Sequence, residues 1–195
     1  MEVARLTATA QSLCASLFAD FSTATESYWT LVCSRSLALS AVMTLLRTYS
    51  LIGNTPLGTE LLDPTRTEEE LSLQINSAEG LQSTAAHIAE FTSNLLSLIA
   101  TDRGLDKVSP FVLDSIYQSA STLSWLDPSA GDLGAPGPGT NAQTLLEIGR
   151  RWGLGTEYLK CLEMQRPGIT ALAYTLSGRI DMVGGSVDMS SFRFG

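Results

Sequence analysis

His87 is the only histidine in the chain, so a Ser-His-Asp or Cys-His nucleophile would have to be built on it. It sits beside the apolar Ile88 in a helical pattern, and no Gly-x-Ser-x-Gly elbow accompanies it. The spacing reads it as a half-exposed helical residue. The Gly-rich run 131–139 suggests a phosphate cradle. Such a loop needs a Gly-Lys-Ser/Thr ending, and no lysine lies between Lys107 and Lys160. Gly153-Leu154-Gly155 lies within a helical pattern and follows no strand, so it is not a dinucleotide turn. Glu68, Glu69 and Glu70 lack the Asp/Asn-rich loop that calcium requires, and read as a solvated helix start. Cys14, Cys33 and Cys161 are odd in number and widely spaced, neither a disulfide framework nor a metal set. Each sits among apolar residues, which points to reduced, buried, structural thiols of an intracellular protein. The expectation is therefore no catalytic, cofactor-binding or metal-ligating residues, no cofactor and no enzymatic activity.

Those residues sit in a chain that is 44 % hydrophobic but only 16 % charged. The first value suffices for a packed core; the second is low and leaves apolar faces for partner surfaces. The net charge is −8, with the excess of negative charge concentrated in residues 51–108. An acidic chain repels phosphate backbones, and the Arg150-Arg151 pair is too small a basic patch to reverse that. Direct nucleic-acid binding is not expected. Nor is a membrane span: in the most apolar stretch, residues 31–52, Arg35 and Arg47 leave too short an uncharged gap. Glu2 beside Arg5 makes a poor signal-peptide start.

The elements that must carry these residues are helical throughout. Val3, Leu6, Ala10, Leu13, Leu17 and Phe18 give a helix over 2–20, followed by a polar break at 22–27. A second helix, 28–50, is apolar most of the way round and should be buried on most sides. Gly53, Asn54, Pro56, Gly58 and Pro64 mark 53–66 as a loop. A long helix over 67–100 opens on a capping box, Thr67 with Glu70, and Gly80 threatens to bend or split it. Residues 102–108 form a turn, and Ser109-Pro110 starts a helix running to 126. Residues 127–139 read as a Gly/Pro linker. One last helix spans 141–164 and is ended by Pro167; the rest, 168–195, reads as loop or poorly ordered. The fold class is all-α, a multi-helix array: a helical domain over 1–166 with the linker inside it, then a flexible tail over 167–195.

Two segments are more specific. The first is Ser109-Pro-Phe-Val-Leu-Asp-Ser-Ile-Tyr-Gln-Ser-Ala120. The second is Leu145-Leu-Glu-Ile-Gly-Arg-Arg-Trp152, continued by Tyr158-Leu-Lys-Cys-Leu-Glu163. Both are amphipathic helices with aromatic anchors, Tyr117 in one and Trp152 and Tyr158 in the other. Arg150, Arg151 and Lys160 can lay their stems over that apolar surface and keep their charges in water.

In order, intervening loop and distance to the terminus, these segments resemble the closing part of the regulatory (middle homology) region of fungal zinc binuclear cluster transcription factors. The chain departs from that pattern at Ser119, where the family prefers a small apolar residue, and at Gly149, Gly153 and Gly155 in or near the last helix. It also lacks the six closely spaced cysteines of the family's DNA-binding module. The resemblance implies transcription regulation in a fungal nucleus by a regulatory fragment truncated on its N-terminal side. Its implied partners are the missing DNA-binding part, a second copy or a coregulator. The alternative is a helical small-molecule-binding protein or a cofactor-free enzyme of secondary metabolism. That reading needs a polar pair facing a cavity, and His87 with Glu90 is the only nearby pair, a surface pair by its i,i+3 spacing. A third reading is a non-functional fragment with an exposed apolar patch.

Overall fold

A computed structural model of the chain describes residues 25–50, 67–100, 104–126 and 136–181, with isolated helical positions at Arg5, Ala8, Thr9 and Ser12. The rest of the helix expected over 2–20, the loop 53–66 and the end of the tail, 182–195, lie outside the described residues. Among the described residues, seven helices of known extent follow one another: α1 (Thr25–Ser50), α2 (Glu68–Ile99), α3 (Gly104–Lys107), α4 (Val112–Leu126), α5 (Pro138–Gly149), α6 (Leu154–Gln165) and α7 (Ile169–Asp181). Among the described residues there is no strand, so the all-α expectation holds.

α2 starts as its local chemistry dictates. The Thr67 hydroxyl accepts the Glu70 N–H at 3.3 Å, and the Glu70 carboxylate accepts the Thr67 N–H at 2.9 Å. Glu68, Glu69 and Glu70 then sit at the positive end of the helix dipole. The helix is continuous across Gly80. A side chain there would press on Leu46 of α1, its Cβ only 3.3 Å from a Leu46 methyl, so the glycine makes room for a neighbouring helix and does not break its own.

The core has two adjoining parts. Leu39, Val42, Met43 and Leu46 of α1 interlock with Leu81, Ala85 and Ile88 of α2. Phe91 and Leu95 of α2 continue into a second part with Leu113 and Ile116 of α4, Leu145 of α5 and Leu162 of α6. α4 lies at the centre, in contact with α1, α2, α5 and α6. By length and composition Tyr28–Ser50, 23 residues, is apolar enough to cross a membrane, contrary to the estimate from the Arg35–Arg47 gap. A third of the stretch is buried, in the seam with α2 and α4, and Leu37 is 48 % exposed, so the helix is covered on one side and not on most sides as its composition suggests. Cys33 and Cys161 are free thiols as expected but half-buried, not buried.

The C-terminal third departs from the sequence expectation in three places. Pro138 and Gly139, assigned to the linker, open α5. Pro138 suits a first helical turn, and a Cβ at Gly139 would come within 2.9 Å of Leu172 from α7. Residues 127–135 lie outside the described residues. Second, the single helix expected over 141–164 is two helices, broken at residues 150–153. Gly155 at the start of α6 abuts the last turn of α5: its Cβ would fall 2.6 Å from the Leu145 carbonyl oxygen and 2.8 Å from Gly149 Cα. Glycine at both positions is what lets the two helices meet at this corner. Third, part of the expected flexible tail is α7, packed on α5 and α6. Ile169, Ala173 and Ser177, spaced by four, face inward. Its start is fastened by Glu163 of α6, whose carboxylate accepts the Gly168 N–H at 2.7 Å and the Thr170 N–H at 2.9 Å. Gly168 turns the chain at φ 91°, in the left-handed region.

Two outcomes follow. Gly155→Ala should destabilise the fold by about 1–3 kcal/mol, because its methyl meets backbone that cannot step aside. Gly153→Ala, with open space around it, should be neutral or stabilising by up to about 1 kcal/mol; paired urea titrations check both. The two backbone N–H groups hold the Glu163 carboxyl below its ordinary range. A carboxyl with a depressed folded pKa adds stability above its unfolded value that is lost as pH falls through the folded one. Wild-type protein should therefore lose stability below about pH 4.5 more steeply than Glu163→Gln, measured by thermal melts over an acid series.

Candidate functional site

The two motif segments meet in space, as neighbouring aromatic spacing on α4 and α6 requires. Tyr117 of α4 and Tyr158 of α6 stack, their ring centroids 4.6 Å apart and their planes at 13°. Trp152, in the break before α6, donates its indole N–H to the Val108 carbonyl at 3.0 Å, just ahead of α4. The Gln165 amide donates to the Tyr117 hydroxyl at 3.1 Å and accepts from Ser121 at 2.7 Å. α6 is thus fastened to α4 at its beginning, middle and end.

Asp114 is the hub on the other side of this junction. One carboxylate oxygen accepts from Tyr158 at 3.4 Å; the other accepts from the Gln118 amide at 2.8 Å and from the Ser40 hydroxyl of α1. Gln118 also donates to Ser40 at 2.9 Å, and Thr44 stands at 3.4 Å from the same amide. Three helices are therefore pinned through one carboxylate. Burial, and then the charge of Asp114 and the hydrogen bond to it, push the Tyr158 phenol up, so it remains a donor at neutral pH. Each polar group here is answered by another side chain. The arrangement fixes helices in place.

A second polar contact lies in the interior. The Ser119 hydroxyl donates to the Ala85 carbonyl of α2 at 2.7 Å and accepts from the Asn141 amide of α5 at 2.8 Å. Both side chains are fully buried. Ser119, the departure from the small apolar residue of the resembled family, is what ties α4 to α2 and α5.

His87 is half-buried, and its bonding partner is Arg35 of α1, with Nη2 3.0 Å from Nε2. The Arg35 guanidinium lies 4.5 Å from the centre of the buried Phe91 ring. Glu90, the partner weighed from sequence, is exposed and acts on the imidazole through its charge. Arg150, Arg151 and Lys160 pair with Glu147, Asp106 and Glu157, and Arg151 also faces the Trp152 ring at 5.3 Å. Among the described residues, no three of His, Cys, Asp and Glu come together as a metal set. Spacing identified Tyr117, Trp152 and Tyr158 as anchors. It missed Asp114, whose only local sign is Gln118 one turn on, and Ser119–Asn141, which has none.

Fold and junction define the molecule as an all-α array whose helices are fastened to one another by buried and half-buried polar contacts. Comparisons with protein-family models, curated proteins and solved structures give no match.

Replacing Ser119 by Ala strands the Asn141 amide and the Ala85 carbonyl's added contact in the core, at an expected cost of about 1–3 kcal/mol. In the double variant Ser119→Ala/Asn141→Leu, no buried amide is left stranded, and part of that loss should be recovered. Denaturant midpoints of the wild type and both variants measure the difference.

Proposed function

We propose that this chain is a regulatory scaffold of the kind found in fungal zinc binuclear cluster transcription factors. It works through protein contacts, in a nucleus, and not through chemistry or DNA contacts of its own. One observation carries the reading: the residues that bear the resemblance are those that hold α4 and α6 together, Tyr117 against Tyr158 and Trp152 against the Val108 carbonyl. The same two helices and their approaches leave Phe111 61 % and Met164 79 % exposed, large apolar groups available to a partner. The net charge of −8 favours a protein partner over a phosphate backbone. Such a partner is the DNA-binding part of a factor, a second copy or a coregulator.

The test is a reporter assay in a fungal host. The chain, fused behind a zinc-cluster DNA-binding module, should lower or condition reporter output. The double variant Phe111→Ser/Met164→Ser, altered only at exposed positions, should relieve that effect while folding normally. Output equal to that of the module fused to an unrelated helical domain would remove the reading.

A further inference from the structure

We propose that the Arg35–His87 contact is a proton-operated latch that holds the N-terminal half of α1 against α2, and that protonation of the imidazole frees that half while the C-terminal half stays packed. The proposal stands on the fold and does not depend on the regulatory reading.

The chemistry of the contact is one-way. A guanidinium has only donors, so Nε2 of His87, 3.0 Å from Arg35 Nη2, must present its lone pair and the ring proton must sit on Nδ1. A proton added at Nε2 removes the acceptor and sets two cations against each other. Arg35 is not free to swing clear without loss, because its guanidinium is stacked over Phe91, which is only 4 % exposed. Among the described residues, charged and titratable groups act on the imidazole from both helices. Arg35 comes from α1, with Tyr28 beyond it in the field of that guanidinium; Glu90 comes from α2 itself. Among the described residues no acid or base of α4 or α5 acts on the ring. Burial and Arg35 disfavour the imidazolium, Glu90 favours it, and burial is the largest influence.

The anchoring of α1 is uneven, so its first half leans more on the Arg35 contact than its second. Beyond residue 38, Leu39, Val42, Met43 and Leu46 are all buried in the seam with α2. Before it, Val32 is the only fully buried apolar side chain among the described residues; Tyr28 and Trp29 are only partly covered. With Arg35 released, residues 28–36 keep the buried Val32 and Ser36 and the partial cover of Tyr28 and Trp29, fewer buried side chains than 39–46 have. Their departure bares Phe91 and the core around it, and hands over Tyr28, Trp29 and Val32 as a short apolar strip. As the group is depressed in the folded state, the closed form is favoured at and above neutral pH and gives way as pH falls below the ordinary histidine value.

The experiment is amide hydrogen exchange on the whole chain at about pH 7.5 and about pH 5.5, corrected for intrinsic rates, with wild type and His87→Gln. Gln places a non-titrating oxygen near the position of Nε2 and can still accept from Arg35. Expected for wild type is a loss of protection of up to about tenfold across residues 28–36 at the lower pH, with 39–46 unchanged. His87→Gln should keep its protection at both values. Because the chain has one histidine, its NMR titration reads the latch directly in wild type even if the variant fails to fold, and the midpoint should lie below 6.5. A midpoint at or above that value overturns the proposal. So does pH-independent exchange, an equal response in His87→Gln, or a loss spread evenly over α1 and α2.

Discussion

Everything in this fold depends on α4 being surrounded. Four helices press on a helix of 15 residues, so it can carry few bulky side chains and must satisfy each polar group it carries without water. It meets the first demand with Ala120 and a set of small hydroxyl residues, Ser115, Ser119, Ser121, Thr122 and Ser124, all buried. It meets the second in part: several hydroxyls act as fasteners, while the buried Ser124 hydroxyl has no protein partner. Ser115 bonds back to its own helix, Ser119 joins two neighbours and Ser121 reaches α6. Leu113 and Ile116 then supply the apolar contact that the small residues cannot. A centre built this way trades hydrophobic area for positional definition, since a hydroxyl is satisfied in only a few arrangements of its neighbours.

Around that centre the fastening is layered. Ser119 and Asn141 act in the interior; Asp114, Ser40 and Gln118 act at the half-buried margin; Arg151 with Asp106 acts at the surface. The buried contacts decide which helices adjoin. The surface pairs contribute little, because water competes for both charges. The regulatory proposal draws on the marginal layer, where aromatic residues of α4 and α6 meet, and on the exposed Phe111 and Met164 beside those helices. A surface organised by residues that also hold the core can transmit a partner's contact inward without a separate device.

The helices whose signals are local were legible in the sequence. Thr67 and Glu70 announce α2 because both halves of a capping box lie within four residues. The apolar spacing of α4 likewise shows where it lies. What failed was decided at a distance. α7 has Ile169, Leu172, Ala173 and Leu176 in helical spacing, but its glycine-rich sequel hid them, and the Glu163 carboxylate that caps it belongs to another helix. The break at residues 150–153 kept the apolar pattern nearly in phase, so periodicity passed over it. Gly149 and Gly155 looked like weaknesses of one helix; they are the contact surface of two. Of the site, the aromatic anchors were visible and their partners were not. Arg35 with His87, and Ser119 with Ala85, are matched only once the order of helices around α4 is known.

The composition of α1 has a consequence for how the chain is made. Its apolar-rich stretch of 23 residues leaves the ribosome well before α2 and α4, the surfaces that cover part of it. At about 5–20 residues per second, that segment waits several seconds with its side chains bare, open to any greasy surface nearby. Arg35 stands inside the segment and adds about 2.5–3.5 kcal/mol to the cost of burying its middle in lipid. The guanidinium that later fastens two helices thus begins as a weight against insertion into lipid, during the interval when the nascent chain has nothing of its own to hold.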